Sequence, residues 1–176
     1  MGWSLDYLKL KEPELLDEFF LSIGKALYLA SAFEKKCWWV LRVIKLTEQS
    51  GDISAVRALA SAMKVKLLGP TLNDMKAFPD FSADDIALLE RAKDARNFIA
   101  HESADIRSLS SVTAQDIHKE LDRLRHALAA LTAGDNLISR WVYAIETGGK
   151  EPAPPGIQEA YPRWVEQWVF GAVGRT

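Results

Sequence analysis

Apolar residues recur every three or four positions along most of this chain, which is the spacing of helices that bury one face. Pro13 suits the first turn of the first helix, because a proline there gives up no bonded N–H. An apolar stripe then continues to a predicted helix end near Ser50–Gly51, and it consists of Phe20, Ile23, Leu27, Ala30, Cys37, Leu41 and Ile44. The first helix is therefore predicted to bury this stripe in the core.

Two further helices are predicted in the middle of the chain. The second runs from Asp52 to Leu68, where Gly69–Pro70 is expected to stop it. A connector with about one further turn at Leu72–Met75 follows. Ser82 can cap the third helix, with Asp85 as the matching acid three positions later. This third helix is predicted to continue through His101.

The last third of the chain contains a helix, a linker and an aromatic segment. The fourth helix begins near Thr113, and Gly134–Asp135 either kinks it or ends it, in which case Asp135 caps a fifth helix to about Glu146. Residues 148–156 form a proline- and glycine-rich linker. In the segment 157–176, Trp164 and Trp168 share one face, which is expected to dock on the bundle; a partner surface is the alternative.

These elements define an all-α protein. We predict an up-and-down bundle of four to five helices over residues 1–147, followed by the linker and by a short C-terminal aromatic helix packed on the bundle. The chain contains no internal repeat, no glycine-rich phosphate loop and no alternating strand pattern.

Composition limits the possible functions. The 176 residues carry a net charge of −2, which argues against a dedicated duplex-binding protein. The single cysteine, Cys37, excludes an intrachain disulfide and a cysteine-based zinc cluster, and it is predicted to fill the core. Charged residues interrupt the apolar run 19–46, and the first ten residues lack a secretory signal pattern. We therefore expect a cytoplasmic protein without a membrane segment.

The candidate chemistry lies on the third helix. At about 100° per residue, its predicted core face consists of Leu88, Ala92, Ala95 and Ile99. Asn97 and His101 are four residues apart and share the opposite face, onto which Ile86 also projects. Arg96 lies on the flank. Arginine can hold a phosphate, and imidazole transfers protons near neutral pH.

The segment from Arg96 and Asn97 to His101 resembles the signature of the HEPN superfamily, in which an arginine, often followed by asparagine, precedes a histidine by four to six residues. The position late on a helix, the flanking residues Ala95 to Glu102 and the long apolar first helix add to the resemblance, which covers residues 14–146. It implies a four- or five-helix bundle that forms a homodimer in which the two motif helices meet.

Active proteins of that superfamily are metal-independent endoribonucleases, so the resemblance implies that Arg96 and His101 are catalytic, with Asn97 as a polar helper. RNA supplies its own 2′-OH nucleophile, one imidazole can act as general base and a second, from the partner copy, as general acid. On this hypothesis, we expect the protein to be a toxin or defence protein and an antitoxin to be a further partner. The alternative is a non-catalytic dimer that binds a nucleotide, RNA or a protein.

Three acids are secondary candidates. Glu34 lies within the apolar stripe of the first helix, where an unpaired charge is costly. It could brace Arg96 or His101, or it could pair with a lysine or lie exposed at the edge of the stripe. Asp94 and Glu102 are accessory acids. No cofactor or metal is expected, because the ladder of His118, Asp122 and His126 runs beside the buried seam and is predicted to be a solvated flank.

Overall fold

A computed structural model describes residues 13–48, 58, 61–64, 66–103 and 112–171 of the chain. Five helices are defined in these residues, and no strand occurs among them: α1 (Pro13–Thr47), α2 (Leu68–Met75), α3 (Ala83–His101), α4 (Ala114–Glu146) and α5 (Ile157–Phe170). The predicted all-α class is therefore confirmed.

Helix α4 is the central element of the bundle, because it packs against α1, α3 and α5. All five helices contribute to one core, whose largest fully buried side chains include Phe19, Phe33, Leu72, Met75, Leu89, Leu121, Leu131 and Ile138. Cys37 is fully buried among them, as predicted, and burial raises the pKa of its thiol. None of the described helices combines the length and the apolar composition that crossing a bilayer requires.

The buried stripe of α1 differs from the predicted one by one residue in its first half. Phe19 and Ala26 are fully buried, whereas the predicted Phe20 and Leu27 are 41% and 42% exposed. Both alternatives have helical spacing because α1 is apolar on two faces. The periodicity alone therefore could not select the face that meets the rest of the bundle.

The predicted stop at Gly69–Pro70 is wrong, because both residues lie in the first turn of α2, after the N-cap residue Leu67. A proline is tolerated there, since the N–H groups of the first turn have no partner within the helix. Most of the predicted second helix, 52–68, lies outside the described residues. Positions 58, 61 and 62 are helical, whereas 66 and 67 are not.

The capping prediction for α3 is confirmed: the Ser82 hydroxyl accepts from the Asp85 N–H, and the Asp85 carboxylate accepts from the Ser82 N–H. Thr113 and Asp116 form the same reciprocal cap on α4. These hydrogen bonds lower the pKa of Asp116. Both helices therefore begin at residues that the sequence marks.

The predicted helix end at Gly134–Asp135 is wrong, because α4 continues through both residues without interruption. A Cβ atom at Gly134 would overlap the Cβ of Ala92 on α3, and it would also approach the ring of Phe33 on α1. This glycine therefore allows close contact between α3 and α4.

Asp135 is a buried carboxylate rather than a helix cap. It accepts from Lys36 Nζ at 2.9 Å and from the Tyr161 hydroxyl, so that one side chain joins α4 to α1 and α5. Burial, and then the proximity of this carboxylate, raise the pKa of Tyr161. The cluster anchors α5 to the helices on which it packs.

Helix α5 docks with a different face from the predicted one. Its buried residues are Val165, Val169 and Phe170, whereas Trp164 and Trp168 are 55% and 47% exposed. The Ser22 hydroxyl and Lys25 Nζ donate to the main-chain carbonyls of Val169 and Trp168, at 3.2 and 2.8 Å. Two valines and a phenylalanine thus form the buried face of α5, and the two indoles remain about half exposed.

Candidate functional site at the Arg96–His101 segment

The candidate residues lie in the last two turns of α3. Asn97 and His101 are exposed, and Arg96 is half-buried. The buried face of α3 consists of Leu89, Ala92, Ala95 and Ile99, so Leu89 replaces the predicted Leu88. The predicted outward projection of Ile86 is also wrong, because this side chain packs against the core.

A hydrogen-bonded ion pair holds Arg96 in position. Its Nη2 donates to Glu34 Oε2 at 2.6 Å, and its Nη1 donates to Asn97 Oδ1 at 3.3 Å. The other carboxylate oxygen of Glu34 accepts from the Leu68 N–H at 3.0 Å. One glutamate on α1 therefore orients the arginine of α3 and also satisfies the first N–H of α2.

The environment of this pair is only partly open to water. The side chains of Arg96 and Glu34 are 22% and 20% exposed, so their interaction is less screened than that of a surface ion pair. Arg96 Nε is buried and has no hydrogen-bond partner. Of the alternatives left open for Glu34, the structure therefore selects the pairing with Arg96.

The two accessory acids do not converge on the arginine. Asp94 is exposed and lies 3.6 Å from Lys93, which also pairs with Glu90. Glu102 is the exposed C-cap residue of α3. His101 is in the last turn of the same helix.

An open, mostly apolar groove of about 600 Å³ adjoins the ion pair, with Glu34 in its wall. Its other lining residues are Ser31, Lys35, Trp38 and Trp39 of α1 and the pair Lys66–Leu67 that precedes α2. This groove was not predicted from the sequence. Its two walls are about thirty residues apart in the chain, so helical periodicity does not reveal that they meet; the Trp38–Trp39 pair was the available signal.

Salt bridges fix one rim of the groove. Asp74 on α2 accepts from Lys45 Nζ at 2.6 Å and from Lys66 Nζ at 2.7 Å. The two ammonium groups lower the pKa of Asp74. Lys66 therefore shares one carboxylate with Lys45, whereas Lys35 forms no ion pair with any described residue.

The histidines of α4 are in a different environment. The Nδ1 atoms of His118 and His126 each lie 2.7 Å from the main-chain carbonyl oxygen four residues earlier, and both side chains are exposed. Asp122, between them, pairs with Arg125. Among the described residues, no group of three or more histidine, cysteine or acidic side chains could hold a metal ion.

Comparison of this chain with known protein families, with curated proteins and with solved structures finds no match.

Proposed function

We propose that this protein is a metal-independent endoribonuclease of the HEPN type, acting as a homodimer through α3, with a role as a toxin or defence protein that an antitoxin would restrain. The observation that supports this proposal most is the arrangement on α3. Glu34 orients the Arg96 guanidinium, while Asn97 and His101 of the same two helical turns remain exposed. An arginine in fixed orientation and an accessible imidazole on one helix suit phosphoryl-transfer chemistry on RNA.

The proposed reaction uses the 2′-hydroxyl of the substrate as nucleophile. His101 of one copy removes the 2′-OH proton, and the 2′-oxygen forms a bond to the adjacent phosphorus. The P–O5′ bond breaks, and the partner's His101 donates a proton to the leaving 5′-oxygen. The products are a 2′,3′-cyclic phosphate and a 5′-hydroxyl, so atoms and charge balance without a metal ion.

Arg96 would stabilise the charge that develops on the non-bridging phosphate oxygens. A guanidinium can donate two parallel hydrogen bonds to a phosphate, and these bonds are stronger where water is partly excluded. Glu34 would act as a positioning residue, because it occupies Nη2 and limits the orientations that the guanidinium can adopt. Asn97 would contact either the phosphate or the imidazole one turn away.

The test is cleavage of a single-stranded RNA in the presence of EDTA by the wild-type protein and by Arg96→Ala and His101→Ala. We expect each substitution to reduce the cleavage rate by about 10²-fold or more. His118→Ala and His126→Ala are matched controls, because both histidines are exposed on α4 and bonded only within that helix. Undiminished cleavage by His101→Ala would contradict the proposal.

A non-catalytic dimer is the second candidate, and one observation favours it. Arg96 contacts Glu34, which also caps α2, so the arginine contributes to the packing of three helices. A protein of this kind would bind RNA, a nucleotide or a protein partner without turnover. Retention of a fluorescent RNA without cleavage, with Arg96→Ala lowering the melting temperature, would support this candidate.

A further inference from the structure

Helix α1 has a continuous apolar surface that no described residue covers. Its large side chains Phe20, Leu21, Leu27 and Tyr28 are 41%, 51%, 42% and 68% exposed. The patch continues onto α5, where the ring of Trp168 lies 6.2 Å from that of Tyr28. Contiguous exposed apolar surface of this kind is typical of an interface.

Small and charged residues complete this surface in a regular pattern. We define the α1 face as Asp17, Phe20, Leu21, Gly24, Leu27, Tyr28, Ser31 and Lys35, all of which are exposed. Asp17, Gly24 and Ser31 follow one another at intervals of seven residues, and the large side chains lie between them. Seven-residue spacing keeps such residues on one side of a helix and is typical of helices that pack lengthwise on another helix.

The α1 face is complementary to itself when two copies are antiparallel. With the twofold axis near residue 26, Leu27 and Tyr28 of one copy lie against the partner's Gly24. Phe20 and Leu21 lie against the partner's Ser31 in the same register. Each bulky pair thus meets a small residue, which allows the two helices to approach closely.

The charges agree with the same register. Asp17 lies beside the partner's Lys35 at each end of the contact, and neither residue forms an ion pair with a described residue of its own chain. A parallel arrangement in register would bring like charges together instead. Charge complementarity therefore favours a second copy of this chain, in antiparallel orientation, over an unrelated apolar partner.

We propose that the α1 face is a homodimer interface in which two α1 helices pack antiparallel. Ser31 and Lys35 also line the groove, so Phe20 and Leu21 of the second copy reach its mouth. The α1 face contains none of the residues proposed to act in catalysis: Arg96, Asn97 and His101 are on α3, and Glu34 is not one of its members. The existence of the interface therefore does not depend on ribonuclease activity.

The main test is Gly24→Gln, followed by analytical ultracentrifugation. Outside its own helical turn, a Cβ at Gly24 meets no atom of a described residue within 4 Å, and glutamine is the better helix former, so the monomer should be at least as stable as the wild type. In the dimer the new side chain would collide with the partner's Tyr28. We expect the dissociation constant of this contact to rise at least about tenfold.

Charge reversal provides a second test that leaves the apolar surface intact. Asp17→Lys and Lys35→Asp should each weaken the association, because each brings like charges together at both ends of the contact. The double variant should restore most of the wild-type affinity, since opposite charges meet again. His101→Ala is the matched control and should leave the dissociation constant of this contact unchanged.

Three results would overturn the proposal: a wild-type protein that stays monomeric at about 100 µM, an association that Gly24→Gln does not weaken, or a charge-reversed double variant that is no better than the single ones. If the α3 surfaces also associate, the wild type is a larger assembly. Gly24→Gln then reduces it to a dimer, which supports the α1 interface.

Discussion

At the scale of single residues, the Glu34–Arg96 pair links the candidate chemistry to the stability of the fold. Glu34 accepts one hydrogen bond from Arg96 and another from the Leu68 N–H. Hydrogen bonds to charged groups contribute more than neutral ones when they are shielded from water. The pair is half-buried, so its loss should affect both the orientation of Arg96 and the contact between α1 and α3.

Glu34→Gln separates the charge of Glu34 from its size. The amide can still accept from the Leu68 N–H, but it no longer carries the charge that pairs with Arg96. We expect the free energy of unfolding, measured by urea denaturation, to fall by about 1–2 kcal/mol. Glu120→Gln is the control, because Glu120 pairs with the half-exposed Arg123 on the surface of α4 and should change stability by less than about 0.5 kcal/mol.

The same variant tests the positioning role within the proposed function. If Glu34 orients Arg96 for a phosphate, Glu34→Gln should lower kcat more than it raises KM, and Glu34→Asp should recover part of kcat. An unchanged unfolding free energy would contradict the structural contribution. An unchanged kcat together with reduced stability would restrict Glu34 to a structural role.

Only part of the candidate site could be predicted from the sequence. The spacing of Asn97 and His101 on one helix is local, so the sequence indicated that both lie on the face away from the core, and both are exposed. The partner of Arg96 is not local, because Glu34 is 62 residues away. Its identity depends on how α1 and α3 pack, which the spacing within either helix does not specify.

At the scale of helices, α3 and α4 come close together at Gly134. The sequence predicts a kink or a helix end at this glycine, because glycine commonly marks such positions. The alternative, a glycine that makes room for a neighbouring helix, cannot be recognised without knowing what lies opposite. Ala92 lies opposite, and its Cβ occupies the space that a side chain at Gly134 would need.

Gly134→Ala should therefore destabilise the protein despite the higher helix propensity of alanine. We expect a loss of about 1–3 kcal/mol in the free energy of unfolding, because α3 and α4 must move apart to relieve the overlap. Ala92→Gly in the same chain opens the space again. The double variant should be less destabilised than the sum of the two single variants, which a double-mutant cycle by chemical denaturation measures.

Additive effects in that cycle would contradict the close contact between the two positions. Ala92→Gly alone provides the reference, since it carries the cost of glycine within a helix, about 1 kcal/mol, without any overlap.

Helical periodicity also does not identify which face of α1 is buried. Phe19 and Phe20 are adjacent and equally apolar, and each begins a stripe with helical spacing. Which stripe is buried depends on where the other helices lie. The capped starts of α3 and α4, in contrast, depend on hydrogen bonds between residues three positions apart. The sequence identified Ser82 as the N-cap of α3 and placed the start of α4 near Thr113.

At the scale of the whole molecule, one chain carries only half of the acid–base pair that the proposed reaction needs. The chain has a single histidine on α3, His101, and its other two histidines are on α4. The proposed reaction therefore depends on an assembly rather than on a pocket within one chain. This dependence can be measured without knowing the geometry of the interface.

Mixed assemblies of wild-type and His101→Ala chains provide the measurement. If both copies of His101 act in one composite site, activity should fall with the square of the wild-type fraction, so a subunit-exchanged 1:1 mixture should retain about one quarter of the wild-type activity. Independent sites would retain about one half. Mixtures with His118→Ala are the control and should retain full activity, because His118 is outside the proposed site. A linear dependence on the wild-type fraction would contradict the composite site even if His101 proves essential.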